Sequence, residues 1–138
     1  MKGPVIVGTG PLVALVNRRE QEHAWVREQW GGISPPALTC EAVISEGCFL
    51  LQDVHGGITA LMRLLERDVV RVAFDLTDEL PAVVKLLKRY SSVPMSLADA
   101  CLVRMSEQFS QSPVLTLDSD FGNYRKNGRG VIPALIPR

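Results

Sequence analysis

The chain is poor in almost everything that would mark a specialised class. It has three cysteines, Cys40, Cys48 and Cys101, an odd number with no CxxC spacing, so neither a disulfide framework nor a cysteine zinc site is expected. Cys40 and Cys48 read as sharing one helix, where eight residues of rise put them roughly 12 Å apart, too far to bridge. They read as buried small hydrophobes in a reducing compartment. The two histidines, His23 and His55, match no zinc pattern. No stretch approaches the roughly 18 apolar residues of a membrane span, and the N-terminus does not read as a signal peptide, so a cytoplasmic location is the default. Fifteen basic and fifteen acidic side chains cancel, so bulk charge argues neither for nor against a nucleic-acid partner. There is no repeat and no low-complexity tract.

What remains is an ordinary globular composition, 46% hydrophobic and 22% charged over 138 residues, which suits one domain with a real core. Short apolar runs alternate with helical patterns. Val5–Val7 reads as a strand, followed by a helix from Pro11 and a second from about Glu20 to Trp30. Ile33-Ser34 reads as a very short strand closed by Pro35-Pro36. Helices are expected over Thr39–Gln52 and His55–Arg67, and a strand over Val69–Phe74. A helix over Asp78–Tyr90 is expected to turn Leu80, Val83, Val84, Leu86 and Leu87 inward, and another helix spans Ser96–Gln108. Val114–Leu117 reads as a strand, followed by a polar turn, DSDFGNYRKNGRG, and a last apolar run, VIPALI. This alternation predicts a single α/β domain over residues 1–138, a mostly parallel sheet with helices on both faces.

Four places carry possible chemistry. The opening VGTGPLV contains a GxG, but a dinucleotide fingerprint would need glycine where Val13 stands. The helix LTCEAVISEGCFLL reads as apolar nearly all round and hence buried, with Glu46 among Ala42, Val43, Phe49 and Leu50. A buried carboxylate is costly unless paired, hydrogen-bonded or metal-bound; alternatively Glu46, or Glu41 opposite, emerges at a solvated edge. Asp99 follows Ser96 at capping-box spacing, which alone could explain it. Asp118 and Asp120 follow the strand VLTL directly, so they either face the crevice of an α/β sheet or make Asx turns. An EF-hand is excluded because its twelfth position would be Arg129. Carboxylates without histidine or cysteine are hard ligands that suit Mg²⁺ or Mn²⁺, and such clusters serve phosphodiester chemistry.

The order and spacing of an opening strand with TGPLVALVNRRE, Glu46 in EAVISEGCFLL, LADACLV and LTLDSDF resemble the PIN-domain ribonucleases, most of all the single-domain VapC-type toxins. The resemblance covers nearly the whole chain. It implies a three-layer α/β fold and RNA cleavage assisted by Mg²⁺ or Mn²⁺. It places metal-holding acids at Glu46, Asp99 and Asp118, an auxiliary acid at Asp120, and supporting hydroxyls at Thr9, Ser96 and Thr116. It also implies a homodimer silenced by an antitoxin protein. Arg18, Arg19, Arg125, Lys126 and Arg129 are candidate phosphate contacts, or simply solvated surface.

The first acid of the pattern falls on Gly8, because this chain reads VGTG where the family reads VDTG. Two explanations compete. The chain is a degenerate member that only binds RNA or a protein, or Gly8 has replaced an aspartate whose activity was harmful during expression. The apparent integrity of the other acids favours the second.

Overall fold

The structure is a computed structural model and describes residues 3–137. Five strands form one sheet: β1 (Ile6–Val7), β2 (Ala37–Thr39), β3 (Val70–Val72), β4 (Val114–Leu115) and, after a separate hairpin, β7 (Ala134–Leu135). Their order is β3-β2-β1-β4-β7, and every neighbouring pair is parallel, with Ile6 opposite both Leu38 and Val114. Parallel strands need crossovers, and helices supply all but the one from β4 to β7, which a 3₁₀ turn and a hairpin make. The helices are α1 (Thr9–Val16), α2 (His23–Gly31), α3 (Glu41–Leu50), α4 (Gly57–Glu66), α5 (Leu76–Arg89) and α6 (Leu97–Gln108). Helices α1, α3 and α4 pack together, while α5 pairs with α6. The central strands are short and wholly apolar because both faces are covered: Ile6, Val7, Val114 and Leu115 have no solvent exposure.

The chain first builds β1, β2 and β3 in one direction, then returns to place β4 on the other side of β1. The sheet therefore has its topological switch point between β1 and β4, and a crevice opens there beyond the carboxyl ends of the two strands.

Several expectations shift. The second strand is Ala37–Thr39, not Ile33-Ser34, and it starts just after Pro35-Pro36. Prolines lack the amide a ladder needs, and pairing begins with the Ala37 amide donating to the Val69 carbonyl at 2.9 Å. Thr39 is consequently strand, not helix; it is fully buried and donates Oγ1 to the Val7 carbonyl at 2.8 Å. Helix α5 starts two residues earlier than expected because Asp75 caps it, accepting from the Asp78 amide. Its buried residues are Val83 and Leu86, while Leu80 and Val84 are 48% and 38% exposed, so the inward stripe is narrower than the apolar pattern.

The polar turn after β4 is more ordered than its composition suggests. It holds a 3₁₀ turn over Ser119–Asn123 and an antiparallel hairpin of β5 (Arg125–Lys126) and β6 (Gly130–Val131). Three residues join the paired Lys126 and Gly130; Asn127 and Gly128, at φ of 53° and 78°, are the left-handed central pair of a tight turn closed by the Arg129 amide donating to the Lys126 carbonyl at 3.2 Å. The Asn-Gly dipeptide was the available signal. Cys40 does not approach Cys48; its thiol faces Cys101 on α6.

Candidate active site

A cleft of about 420 Å³ opens at the switch point, and Gly8, Glu46, Asp99 and Asp118 all line it. Each enters from a different element. Gly8 and Thr9 follow β1, Glu46 lies in α3, Asp99 in the first turn of α6, and Asp118 just beyond β4. Thr9, Ser96 and Thr116 each make a hydrogen bond to one of these acidic residues. Thr9 Oγ1 donates to Glu46 Oε1 at 2.8 Å. Ser96 and Asp99 complete a reciprocal capping box, with the Asp99 amide donating to Ser96 Oγ at 3.0 Å and the Ser96 amide to Asp99 Oδ2 at 3.1 Å. Thr116 Oγ1 accepts from the Asp118 amide at 3.0 Å, and Asp118 Oδ1 accepts from the Asp120 amide at 2.9 Å. The capping box, the Asx turn and the cleft therefore coexist; local backbone satisfaction and placement in the crevice are one geometry.

Asp99 is the most enclosed acid. Burial, the dominant cause, and the negative charge of Asp118 push its carboxyl above the usual carboxylate range, against the lowering effect of the Ser96 hydrogen bonds and the Tyr124 hydroxyl. Tyr124 is a site residue that the sequence reading missed. It is 1% exposed, and its hydroxyl reaches the Pro94 carbonyl at 3.1 Å and Asp99 Oδ2 at 3.3 Å. Burial and the charge of Asp99 push its phenol up. Edge-on packing against Phe121 and Tyr90, with centroids 5.4 and 5.1 Å away, fixes the ring. An isolated tyrosine six residues beyond Asp118 carries no sequence signal for this role.

Gly8 makes no use of being glycine. Its backbone, at φ −89° and ψ −178°, is open to any residue. A Cβ there would meet Leu102 Cδ1 at 3.5 Å and the Leu115 carbonyl at 3.6 Å, ordinary van der Waals contacts. It is also the N-cap of α1 and supplies no capping side chain.

The remaining candidates fall further out. Asp120 is exposed and does not line the cleft. Helix α1 leads away from the cleft, so Arg18 and Arg19, exposed beyond its far end, are not brought to the acids. Arg125 donates to the Gly122 and Tyr124 carbonyls and Lys126 to the Ser110 carbonyl. Helix α3 is not buried all round: Val43 and Gly47 face the core, while Glu46 is exposed and Phe49 and Leu50 are 67% and 55% exposed. The solvated-edge alternative for Glu46 thus holds together with its place in the cleft.

The donor chemistry, carboxylates without nitrogen or sulfur, fits a hard divalent cation. The spacing is incomplete: among the described residues no three His, Cys, Asp or Glu side chains lie close enough to hold a metal ion. A larger cavity of about 520 Å³ lies at the opposite, amino ends of the strands, bordered by Val5, Ser34 and Pro113, and no titratable side chain lines it. Among the described residues no helix is long and apolar enough to cross a membrane.

Sheet order, crossover helices and a crevice at the β1/β4 switch point define a three-layer α/β domain of the PIN-like class. Among solved structures, the chain is similar to Mycobacterium tuberculosis VapC20, described as a sarcin-ricin loop cleaving toxin. The TM-score is 0.78 at 23% identity, over 94% of this chain and 99% of that one. At that identity the likeness carries the fold. No protein-family model and no curated protein matches the sequence.

Proposed function

We propose that this domain is built as a metal-dependent endoribonuclease that hydrolyses RNA phosphodiester bonds, the toxin of a toxin–antitoxin pair, with its activity impaired by Gly8. The observation that carries the reading is the cleft itself. Three acids from three elements, each with a hydrogen bond to a hydroxyl, line the cleft with Gly8, where an added Cβ meets only ordinary contacts. Glu46, Asp99 and Asp118 would hold Mg²⁺ or Mn²⁺, with Asp120 as an auxiliary acid outside the cleft lining. When bound, such a cation supplies Lewis-acid stabilisation of the phosphodiester oxygens. The chain's own contribution is placement. Thr9 orients Glu46, the capping box and Tyr124 orient Asp99, and Thr116 fixes the backbone that presents Asp118. The likeness to a sarcin-ricin loop cleaving toxin supports RNA as substrate. A homodimer and an antitoxin covering the cleft belong to the same reading.

A second reading, a non-catalytic module binding RNA or a protein, is favoured by Gly8 and by the incomplete ligand spacing. The two separate in one assay. Gly8→Asp is incubated with RNA and Mn²⁺ beside the unaltered chain and a Gly8→Asp/Asp99→Asn double variant. Cleavage by Gly8→Asp alone supports the nuclease. Intact RNA in all three, with RNA still bound, supports the binding module.

A further inference from the structure

The chain is neutral as a whole, yet its charge is not evenly spread. Lys85, Lys88 and Arg89 project from the last turns of α5, spaced so that they share one face, and all three are exposed. Beside them the β5–β6 hairpin carries Arg125, Lys126 and Arg129. Arg89 Nη2 joins the two elements by donating to the Gly128 carbonyl at 2.6 Å. The Arg125 amide joins them again, donating to the Tyr90 hydroxyl at 2.9 Å. Between them lies a depression of about 470 Å³ bordered by Lys85, Arg89, Asn127 and Gly128. The charged groups facing it from α6 are Arg104 and Glu107; Arg104 is neutralised by Glu79 and Glu107.

Among the described residues, none of those six cations makes an ion pair. Arg89, Arg125 and Lys126 are instead held by backbone carbonyls. A carbonyl fixes a cation's position without cancelling its charge, so part of the ordering cost of binding an anion is met in advance. Six of the chain's fifteen cations stand here, which leaves the rest of the chain net negative. The ridge is also coupled to the cleft. Arg89 lies 5.5 Å over the Tyr90 ring, Tyr90 packs edge-on against Tyr124, and the Tyr124 hydroxyl reaches Asp99. These contacts run from the ridge to Asp99 through the buried Tyr124.

We propose that the C-terminal end of α5 and the β5–β6 hairpin form a phosphate-backbone seat for the RNA strand that extends from the cleft. The proposal rests on the RNA-directed reading above and adds Lys85, Lys88 and Arg89 to it. Arginine's fork and lysine's point charge both suit phosphate oxygens, and such contacts position a strand without reading its sequence.

The test measures binding alone. A short fluorescein-labelled RNA is titrated by anisotropy in EDTA with the unaltered chain and a Lys85→Ala/Lys88→Ala/Arg129→Ala variant. An Arg89→Lys variant keeps the charge but changes its geometry, and Arg18→Ala/Arg19→Ala is the distant control. Loss of three phosphate contacts lowers the salt slope by about 2, which removes roughly 20-fold of the affinity change between about 50 and 200 mM salt. Arg89→Lys weakens binding severalfold with the slope kept, and the control matches the unaltered chain. Equal slopes for the triple variant and the unaltered chain, with RNA bound by both, overturn the ridge and leave the RNA reading standing. No binding by the unaltered chain at low salt overturns both. Tighter binding of labelled polyglutamate than of RNA reassigns the ridge to an acidic protein and overturns the proposal. Melting temperatures within a degree or two of the unaltered chain establish that the variants are folded.

Discussion

Replacing Gly8 by aspartate tests the site through stability, independently of turnover. The backbone at Gly8 needs no left-handed conformation, and the added Cβ sits at ordinary contact distances, so strain is absent. Two small gains follow. Loss of glycine's freedom in the unfolded chain contributes about 0.4–1 kcal/mol, and an anion at the N-terminus of α1 adds about 0.3–1 kcal/mol. Direct capping adds little, since Pro11 at the third helical position has no amide and only Gly10 remains to donate. Against these, the new carboxylate joins Glu46, Asp99 and Asp118 around one cleft. In a water-filled cleft, with a dielectric near that of bulk water, each like-charge neighbour costs on the order of 1 kcal/mol. The metal-free variant should therefore be less stable than the unaltered chain by about 1–2 kcal/mol, a melting temperature lower by roughly 3–8 °C. Mn²⁺ at about 100 times its dissociation constant returns about 2.7 kcal/mol, roughly 8–10 °C. The assay is thermal unfolding by circular dichroism, in EDTA and across a Mn²⁺ titration, with Gly8→Asn as the uncharged isostere. Gly8→Asn should show neither the metal-free loss nor the large metal gain. Equal Mn²⁺ shifts in the aspartate variant and the unaltered chain would refute a four-acid metal site.

Asp99 and Tyr124 give two further expectations. Because burial raises the Asp99 carboxyl, the folded chain binds that proton more tightly than the unfolded chain. The ionised group thus costs stability, a cost absent below the unfolded value of about 3.9 and complete once the pH has passed the folded value. Asp99→Asn should gain melting temperature relative to the unaltered chain as pH rises from 4 to 7; a gap that shrinks over that range contradicts the burial argument. Tyr124→Phe keeps both edge-on ring contacts and loses the hydroxyl bonds to Pro94 and Asp99. It should cost about 1 kcal/mol in urea denaturation, more at pH 7 than at pH 4, because the lost donor favoured the ionised Asp99. An equal cost at both pH values removes Tyr124 from the site.

Much of the architecture was legible because it depends on local patterning. Alternating apolar runs and helical spacings specify a parallel α/β sheet, Ser96 and Asp99 announce a capped helix, and Asp118 lies just past a buried strand, which ends at Leu115 rather than Leu117. Boundaries failed where two apolar elements abut. Ala37–Thr39 is followed almost at once by α3, so its last residue, Thr39, reads as the start of the helix and the strand is placed too early, at Ile33-Ser34. Burial failed on α3 and α5 because hydrophobicity states what a side chain prefers, whereas only neighbours decide whether it is covered. Phe49 and Leu80 remain exposed for that reason.

The sequence by itself determined the acids, their hydroxyl companions and the absent carboxylate at Gly8, because residue type and spacing are properties of the chain. Tertiary structure decided that Glu46, Asp99 and Asp118 share one cleft, that Tyr124 completes the setting of Asp99, and that Arg18 and Arg19 lie elsewhere. Those outcomes depend on the return of β4 to the far side of β1, a long-range pairing that brings residue 8 beside residue 115. No local pattern encodes that pairing; it follows from the way the whole core closes.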